Sequence, residues 1–164
     1  ALNGYAPPEG RGNAEWLNLE GEGRALMVDD AYNANPESMR AALAGFAMRP
    51  AKRKLIALGE MKELGPDADA LHAGLAPEIL ACEPARVFLS GEGIKPLAKA
   101  LDGKVEVSWA MKAGDLHEMV NKSLINGDAL LIKGSNASGM GTLAGALRRF
   151  SAQNNDTSKG AGEE

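Results

Sequence analysis

The sequence has few of the residues that build metal centres and disulfides. Of its 164 residues, one is cysteine and two are histidine. A zinc site of the usual kind needs more His and Cys ligands than this, and a disulfide needs a second cysteine. Cys82 is therefore predicted to be a small buried apolar residue, and the chain to be a protein of the reducing cytoplasm.

Long apolar runs and blocks of like charge are also missing. No run approaches the ~20 apolar residues of a transmembrane helix, and the N-terminus lacks the pattern of a signal peptide. The formal net charge is −4, with both signs spread along the chain. Without a basic block or stripe, nucleic acid is not an expected partner. A membrane is not an expected partner either, because no membrane span is predicted, and the chain is expected to be a monomer.

Complete phosphate-binding glycine motifs are absent as well. Gly134 and Gly139 have Walker A spacing, but Met140-Gly141 stands where lysine and a hydroxyl residue are required. Gly91-Glu92-Gly93 begins like a dinucleotide fingerprint, but Pro96 replaces the third glycine. A dehydrogenase is therefore disfavoured, and no phosphate loop is expected in this chain.

The chain does have a regular alternation of strand and helix patterns. Predicted strands lie at 16–19, 25–29, 54–58, 86–89, 105–109 and 129–133. Predicted helices lie at 36–47, 65–82 with a break or kink at Pro77, 95–101, 115–125 and 140–150. The alternation predicts a Rossmann-like α/β fold, with about five parallel strands plus one antiparallel strand and helices on both faces. Residues 1–12 are predicted to be a linker, 13–150 the domain and 151–164 a disordered polar tail.

The most informative segment, residues 29–39, follows the second predicted strand and reads Asp-Asp-Ala-Tyr-Asn-Ala-Asn-Pro-Glu-Ser-Met. Asn35 is a good helix N-cap, and Pro36 suits the first helical position. Ligands of open α/β sheets bind at the carboxyl ends of strands, so Asp29 or Asp30 could accept hydrogen bonds from a ribose diol. The alternative is that Asp and Asn only stabilise the turn and cap the helix.

This segment resembles the signature of the Mur ligase C-terminal domain, in the version of the member that uses D-alanyl-D-alanine. Three further segments resemble family motifs in the family's order. They are the hinge-like Gly10-Arg11-Gly12, residues 58–65 (Leu-Gly-Glu-Met-Lys-Glu-Leu-Gly) followed by His72, and residues 131–135 (Leu-Ile-Lys-Gly-Ser). The resemblance covers about residues 1–150, and four motifs in register are specific.

The resemblance implies one part of an ATP-dependent ligase of peptidoglycan precursor synthesis. Such ligases activate a carboxylate as an acyl phosphate, which an amine attacks to form an amide. The implied substrates are ATP, D-alanyl-D-alanine and a UDP-MurNAc-tripeptide, with Mg²⁺ held by a central domain outside this chain. The C-terminal domain closes over ATP and has no catalytic residue of its own, so the chain alone is expected to be inactive.

The resemblance also assigns binding residues to two groups. The residues implied to bind ATP are Arg11, Asp30, Tyr32, Asn33 and Asn35. The residues implied to bind D-alanyl-D-alanine are Lys62, Lys133, Ser135 and Asn136.

Several alternatives stay open at this point. Asn136 stands where the family has arginine, and Glu60 where it has aspartate, so their roles differ from the family pattern. His72 is either a packing or capping histidine or a general base. Lys133 either neutralises the dipeptide carboxylate or pairs structurally with a carboxylate. The alternative function is a non-catalytic Rossmann-like module that binds a nucleotide or a partner protein.

Overall fold

The computed structural model describes residues 12–160, and side chains as far as Asp156. The strands within these residues are β1 (Asn13–Asn18), β2 (Arg24–Asp30), β3 (Arg53–Gly59), β4 (Arg86–Ser90), β5 (Val107–Ala110) and β6 (Asp128–Lys133). They form one sheet in the order β1-β2-β6-β3-β4-β5. Of these strand pairs, β1–β2 is antiparallel and the other four are parallel, which confirms the predicted sheet.

The helices cover both faces of the sheet, as predicted. The helices are α1 (Pro36–Met48), α2 (Ala68–Ala73), α3 (Ala76–Ala81), α4 (Lys95–Leu101), α5 (His117–Ser123) and α6 (Met140–Gly160). One core cluster contains the inward residues of α1, α3 and α4, and the other contains those of α5 and α6. No helix within residues 12–160 is long and apolar enough to cross a membrane.

The central strand β6 shows why the sequence folds into two layers of helices around a sheet. All six of its residues are buried, and alternate side chains enter opposite cores. Leu131 lies in the cluster beneath α1, whereas Leu130 and Ile132 lie in the cluster beneath α6. Continuous apolar runs of this kind are typical of parallel strands that are buried on both faces.

The segment predicted as one helix at 65–82 is divided into three pieces. A 3₁₀ turn at Gly65–Asp67 leads into α2, and α3 begins after Gly74 and Leu75. Pro77 lies in the first turn of α3, where its missing N–H needs no partner. The proline therefore starts the second helix, and the predicted break lies just before it. Similarly, the predicted 115–125 helix begins as a 3₁₀ turn at Ala113–Leu116 and ends at Ser123.

The predicted disordered tail is wrong for residues 151–160, which continue α6. Ser151 is buried, and its Oγ accepts the Asn18 N–H at 2.8 Å. Asn154 Nδ2 donates to the Asn18 carbonyl at 3.0 Å. Each residue that extends an existing helix gains one backbone hydrogen bond, so extension is much easier than starting a new helix. These two contacts with β1 are therefore enough to stabilise the extended helix, although the composition of this segment offers few apolar side chains to bury. Residues 161–164, and residues 1–11 of the predicted linker, lie outside the described residues.

Candidate functional site

The carboxyl ends of four parallel strands bring the motif residues to one edge of the sheet. Asp30 at the end of β2 is in register with Lys133 at the end of β6, and Lys133 is in register with Leu58 of β3. Gly59 of β3 is then in register with Ser90 of β4. Residues as far as 103 positions apart in sequence therefore meet at the edge where α/β folds bind ligands.

The two aspartates at the end of β2, either of which could accept a ribose hydroxyl on the sequence evidence alone, have different environments in the structure. Asp29 is buried, and its Oδ1 accepts the Ala31 N–H at 3.1 Å. Its Oδ2 accepts a hydrogen bond from the Arg148 guanidinium of α6. Asp29 thus braces the turn from the α6 side of the sheet, and Asp30 is the carboxylate with access to a cleft.

Asp30 forms an ion pair with Lys133 at this edge. Lys133 Nζ lies 2.9 Å from Asp30 Oδ2 and donates to the Asn33 carbonyl at 2.9 Å. The Lys133 side chain is 3% exposed, whereas Asp30 retains 28% exposure. A buried ammonium is stable only when it is paired, so Asp30 compensates Lys133 and Lys133 fixes the orientation of Asp30. The sequence placed these residues in different binding groups, and the structure places them in contact.

The first cleft, called here the Asp30 cleft, has a volume of about 460 Å³. Binding sites for small molecules commonly have volumes of this order. Tyr32 is half exposed, and small side chains of α1 also line the cleft. A smaller cleft of about 220 Å³ shares Asp30, Ala41 and Ala42 with it and continues along α1. The Asp30 cleft is lined by Asp30, Tyr32, Asn33, Ser38, Ala41, Ala42 and Lys133.

Asn33 and Asn35 both have local hydrogen bonds in this turn. Asn35 Oδ1 accepts the Ser38 N–H at 2.8 Å, and Ser38 Oγ accepts the Asn35 N–H at 3.0 Å. This reciprocal capping box starts α1, as the N-cap prediction required. Asn33 Oδ1 accepts the Ala34 N–H at 2.9 Å. The capping role of Asn35 is therefore confirmed, and its contact with a nucleotide stays a prediction.

The second cleft, called here the Glu60 cleft, lies beyond β3, β4 and β5 and has a volume of about 430 Å³. Acidic and basic side chains both reach it, together with the first turn of α6. Lys62 is 47% exposed and contacts the cleft residue Glu60 by a salt bridge. The polar residues that line the Glu60 cleft are Glu60, Lys112, Asp115, Ser138 and Thr142.

Glu60 carries a shifted pKa in this cleft. Burial raises the pKa of the carboxyl, but hydrogen bonds from Lys62 and from the Gly93 N–H oppose this effect. The nearby charge of Lys62 also lowers it, so that the pKa of Glu60 lies below its ordinary value. The carboxylate is therefore charged over the physiological range.

The remaining motif residues support the loops at this edge. Ser135 is buried, and its hydroxyl donates to the Glu60 carbonyl at 3.0 Å. His72 is buried in α2, where its Nε2 accepts the Met61 N–H at 2.9 Å and Nδ1 lies 2.8 Å from the Ala68 carbonyl. His72 thus has the packing role, with both ring nitrogens in use. Asn136 is exposed at the start of a 3₁₀ turn, and Arg11 lies outside the described residues.

The sequence did not predict the polar residues Lys112, Asp115 and Thr142 as part of the Glu60 cleft. Lys112 and Asp115 follow β5 as the two aspartates follow β2, so the rule that located Asp30 also applies to them. Thr142 lies in the first turn of α6, and nothing in its local pattern distinguishes it. Within residues 12–160, no three His, Cys, Asp or Glu side chains are grouped so that they could hold a metal ion.

The fold and these clefts define a Rossmann-like α/β domain with a candidate ligand-binding edge at the carboxyl ends of its strands. The chain belongs to the Mur ligase family, because the family model described as "Mur ligase, glutamate ligase domain" matches residues 15–136. This is the family whose motifs the sequence resembles, and the structure has the fold that the resemblance implied.

Relatives and solved structures agree with this membership. The UDP-N-acetylmuramoyl-tripeptide–D-alanyl-D-alanine ligase of Mycobacterium tuberculosis (strain CDC 1551 / Oshkosh) is 33% identical over an alignment covering 87% of this chain and 32% of that protein. The ligase of the same name from Rickettsia prowazekii (strain Madrid E) is 31% identical over 76% of this chain and 27% of that protein. The chain therefore spans about a third, or less, of the length of these relatives.

Two solved structures share the fold. The MurF ligase of Thermotoga maritima, in complex with ADP, superposes with a TM-score of 0.74 at 21% identity, covering 93% of this chain and 33% of that chain. MurF of Acinetobacter baumannii superposes with a TM-score of 0.72 at 23% identity, covering 90% of this chain and 32% of that chain.

Proposed function

We propose that this chain is the C-terminal domain of an ATP-dependent ligase that adds D-alanyl-D-alanine to a UDP-MurNAc-tripeptide. The observation that carries the proposal is the pair of clefts at one sheet edge, one beside Asp30 and one beside Glu60. A ligase that joins an amine to an ATP-activated acid must bind the nucleotide and the amine close together, so both sites are expected on the same side of the domain that closes over ATP. The names of the relatives supply the substrates in the proposal.

The Asp30 cleft is proposed to hold the nucleoside part of ATP. Asp30 Oδ2 is paired with Lys133, so Oδ1 is the oxygen assigned to accept a ribose hydroxyl. The half-exposed Tyr32 ring offers an apolar surface beside it, and Asn33 lines the same cleft. The cleft volume of about 460 Å³ is suited to a nucleoside. The Thermotoga maritima ligase, which shares the fold, has a structure in complex with ADP. Arg11 and Asn35 remain proposed nucleotide contacts.

The Glu60 cleft is proposed to hold the amine substrate. D-Alanyl-D-alanine carries a carboxylate, and the ammonium groups of Lys62 and Lys112 lie at or beside this cleft. The first turn of α6 adds backbone N–H groups and the positive end of a 21-residue helix. Ser135 and Asn136 lie in the adjoining loop and remain proposed contacts of the dipeptide. Lys133 lines the Asp30 cleft and also remains a proposed contact of the dipeptide carboxylate.

The chain's own contribution would be binding and orientation. ATP supplies the activation of the acceptor carboxylate, and the residues at this edge hold the nucleotide and the amine in place. Following the family resemblance, Mg²⁺ is assigned to the ATP-binding central domain of the ligase. We further propose that the ligase works as a monomer in the cytoplasm, where ATP and UDP-linked precursors are available.

The test is phosphate release by the ligase that contains this chain. Turnover is expected only when ATP, UDP-MurNAc-tripeptide and D-alanyl-D-alanine are all present, and this 164-residue chain alone is expected to be inactive. Equal turnover with D-glutamate or diaminopimelate in place of the dipeptide would refute the proposed substrate. Turnover by the chain alone would refute the proposed division of labour between domains.

A further inference from the structure

The carboxylate of Glu60 is held from two sides just beyond the end of β3. Its Oε2 accepts the Gly93 N–H at 2.6 Å, and its Oε1 is paired with Lys62 Nζ. The Glu60 side chain is only 15% exposed, although the residue lines a cleft. A carboxylate with both oxygens in use is better placed to orient a neighbour than to bind a substrate ammonium group.

Gly91 and Gly93 form a seat for this carboxylate, called here the glycine seat. A Cβ added at Gly91 would lie 2.7 Å from Glu60 Cδ, and a Cβ added at Gly93 would lie 2.6 Å from Glu60 Oε2. Gly91 also has a φ of +105°, and its carbonyl accepts the Trp109 indole N–H at 2.7 Å. The incomplete fingerprint Gly91-Glu92-Gly93 is thus explained without a phosphate.

The backbone of Glu60 and Met61 is fixed by hydrogen bonds to three other parts of the chain. The Glu60 N–H donates to the Ser90 carbonyl of β4 at 3.1 Å, and the Glu60 carbonyl accepts the Ser135 hydroxyl at 3.0 Å. The Met61 N–H donates to His72 Nε2 at 2.9 Å. The segment before Lys62 is therefore preorganised in both its backbone and its side chain.

We propose that Glu60, in the glycine seat, is a positioning residue that holds the Lys62 ammonium beside the Glu60 cleft to receive a substrate carboxylate. This inference rests on the proposed function, because it takes the amine substrate of that cleft to be an amino acid or dipeptide with a terminal carboxylate. Glutamate suits the position because its side chain spans from β3 to the Gly93 N–H while still reaching Lys62. An aspartate would be one methylene shorter.

Gly93→Ala is the most direct test in the ligase that contains this chain. The added methyl displaces Oε2, the flexible end of Glu60, and Gly93 has no positive φ that alanine would strain. We expect the KM for D-alanyl-D-alanine to rise about tenfold, the loss of one charge-assisted hydrogen bond, with the KM for ATP unchanged. Gly145→Ala, farther along α6, is the matched control, since its Cβ would meet only the end of the Arg149 side chain at 3.4 Å, and it should change neither constant.

A second variant separates positioning from packing. Glu60→Gln keeps the size and an acceptor for the Gly93 N–H but removes the charge that holds Lys62, so it should raise the same KM. Glu60→Gln combined with Gly93→Ala should cost less than the two single changes added together, because both act through one contact. Full additivity, or a fall in kcat with both KM values unchanged, would overturn the positioning role.

Lys62→Met distinguishes this inference from the proposed function. If Lys62→Met raises the dipeptide KM but Gly93→Ala and Glu60→Gln do not, the cleft keeps its substrate and the positioning role is refuted. If none of the three changes the dipeptide KM, the proposed amine site itself is refuted. NMR of the Gly93 amide proton gives a readout that does not depend on activity. Its chemical shift should change with pH as Glu60 titrates in the wild type, and this pH-dependent change should be absent in Glu60→Gln.

Discussion

The ion pair between Asp30 and Lys133 predicts an asymmetric response to removing one partner or the other. At the observed 2.9 Å, an effective dielectric constant of about 20 gives a gross attraction of about 6 kcal/mol. Desolvation of the buried ammonium offsets most of this. The ion pair therefore contributes little to net stability. If Asp30 is removed, however, Lys133 becomes a buried charge whose remaining hydrogen bond, among the described residues, is to the neutral Asn33 carbonyl at 2.9 Å.

Asp30→Ala should accordingly lower the free energy of unfolding by about 3 kcal/mol, the lower end for an uncompensated buried charge. Lys133→Met should cost about 1 kcal/mol, because Asp30 is 28% exposed and water can solvate its carboxylate. The double variant should be more stable than Asp30→Ala alone, since it removes both charges. Urea denaturation of the chain measures all three, with Lys122→Met in the exposed Glu118–Lys122 pair as a control that should change nothing measurable.

The same variants decide between the two interpretations of Lys133. If Lys133 orients Asp30, Lys133→Met and Asp30→Ala should both raise the KM for ATP, by about tenfold for Asp30→Ala. If Lys133 binds the dipeptide carboxylate, Lys133→Met should raise the KM for D-alanyl-D-alanine instead. Equal stability costs for the two single variants, or strict additivity in the double variant, would refute the reasoning from burial.

Three further predictions concern residues around the two clefts. Asn35→Ala should lower stability by about 1 kcal/mol through loss of the capping box, and a raised KM for ATP would show that Asn35 also contacts the nucleotide. The pKa of Glu60 is lowered by folding, so its stabilising effect should be present at neutral pH and disappear as the pH falls through the folded-state pKa. The stability difference between wild type and Glu60→Gln should therefore shrink in acid, and a constant difference would contradict the shift. Burial raises the pKa of the Cys82 thiol, so iodoacetamide at a pH of about 8 should modify the unfolded chain much faster than the folded chain; equal rates would contradict this burial.

The sheet and its helices follow from local pattern because each element carries its own signal. The apolar run of β6 and the Asn35-Pro36 start of α1 are readable from a few adjacent residues. The ends of elements are less predictable, since they depend on partners elsewhere in the chain. Residues 151–160 are helical because the preceding turns of α6 are packed and because Ser151 and Asn154 meet Asn18 of β1. Nothing near residue 151 in the sequence specifies that contact.

The candidate site shows the same limit at the level of single side chains. The family resemblance named Lys133 and Asp30 as binding residues, which stays a prediction, and the structure places both at the sheet edge. Their pairing depends on the register between β2 and β6, which joins positions 103 apart. A shift of that register by one residue would place Lys133 opposite Asp29, on the α6 side of the sheet where Arg148 now binds. Which aspartate faces the Asp30 cleft is thus a property of strand pairing. The pairing of Lys133 with Asp30 becomes visible only when these two distant strands are placed side by side, and the KM values of Lys133→Met test whether Lys133 also binds the dipeptide.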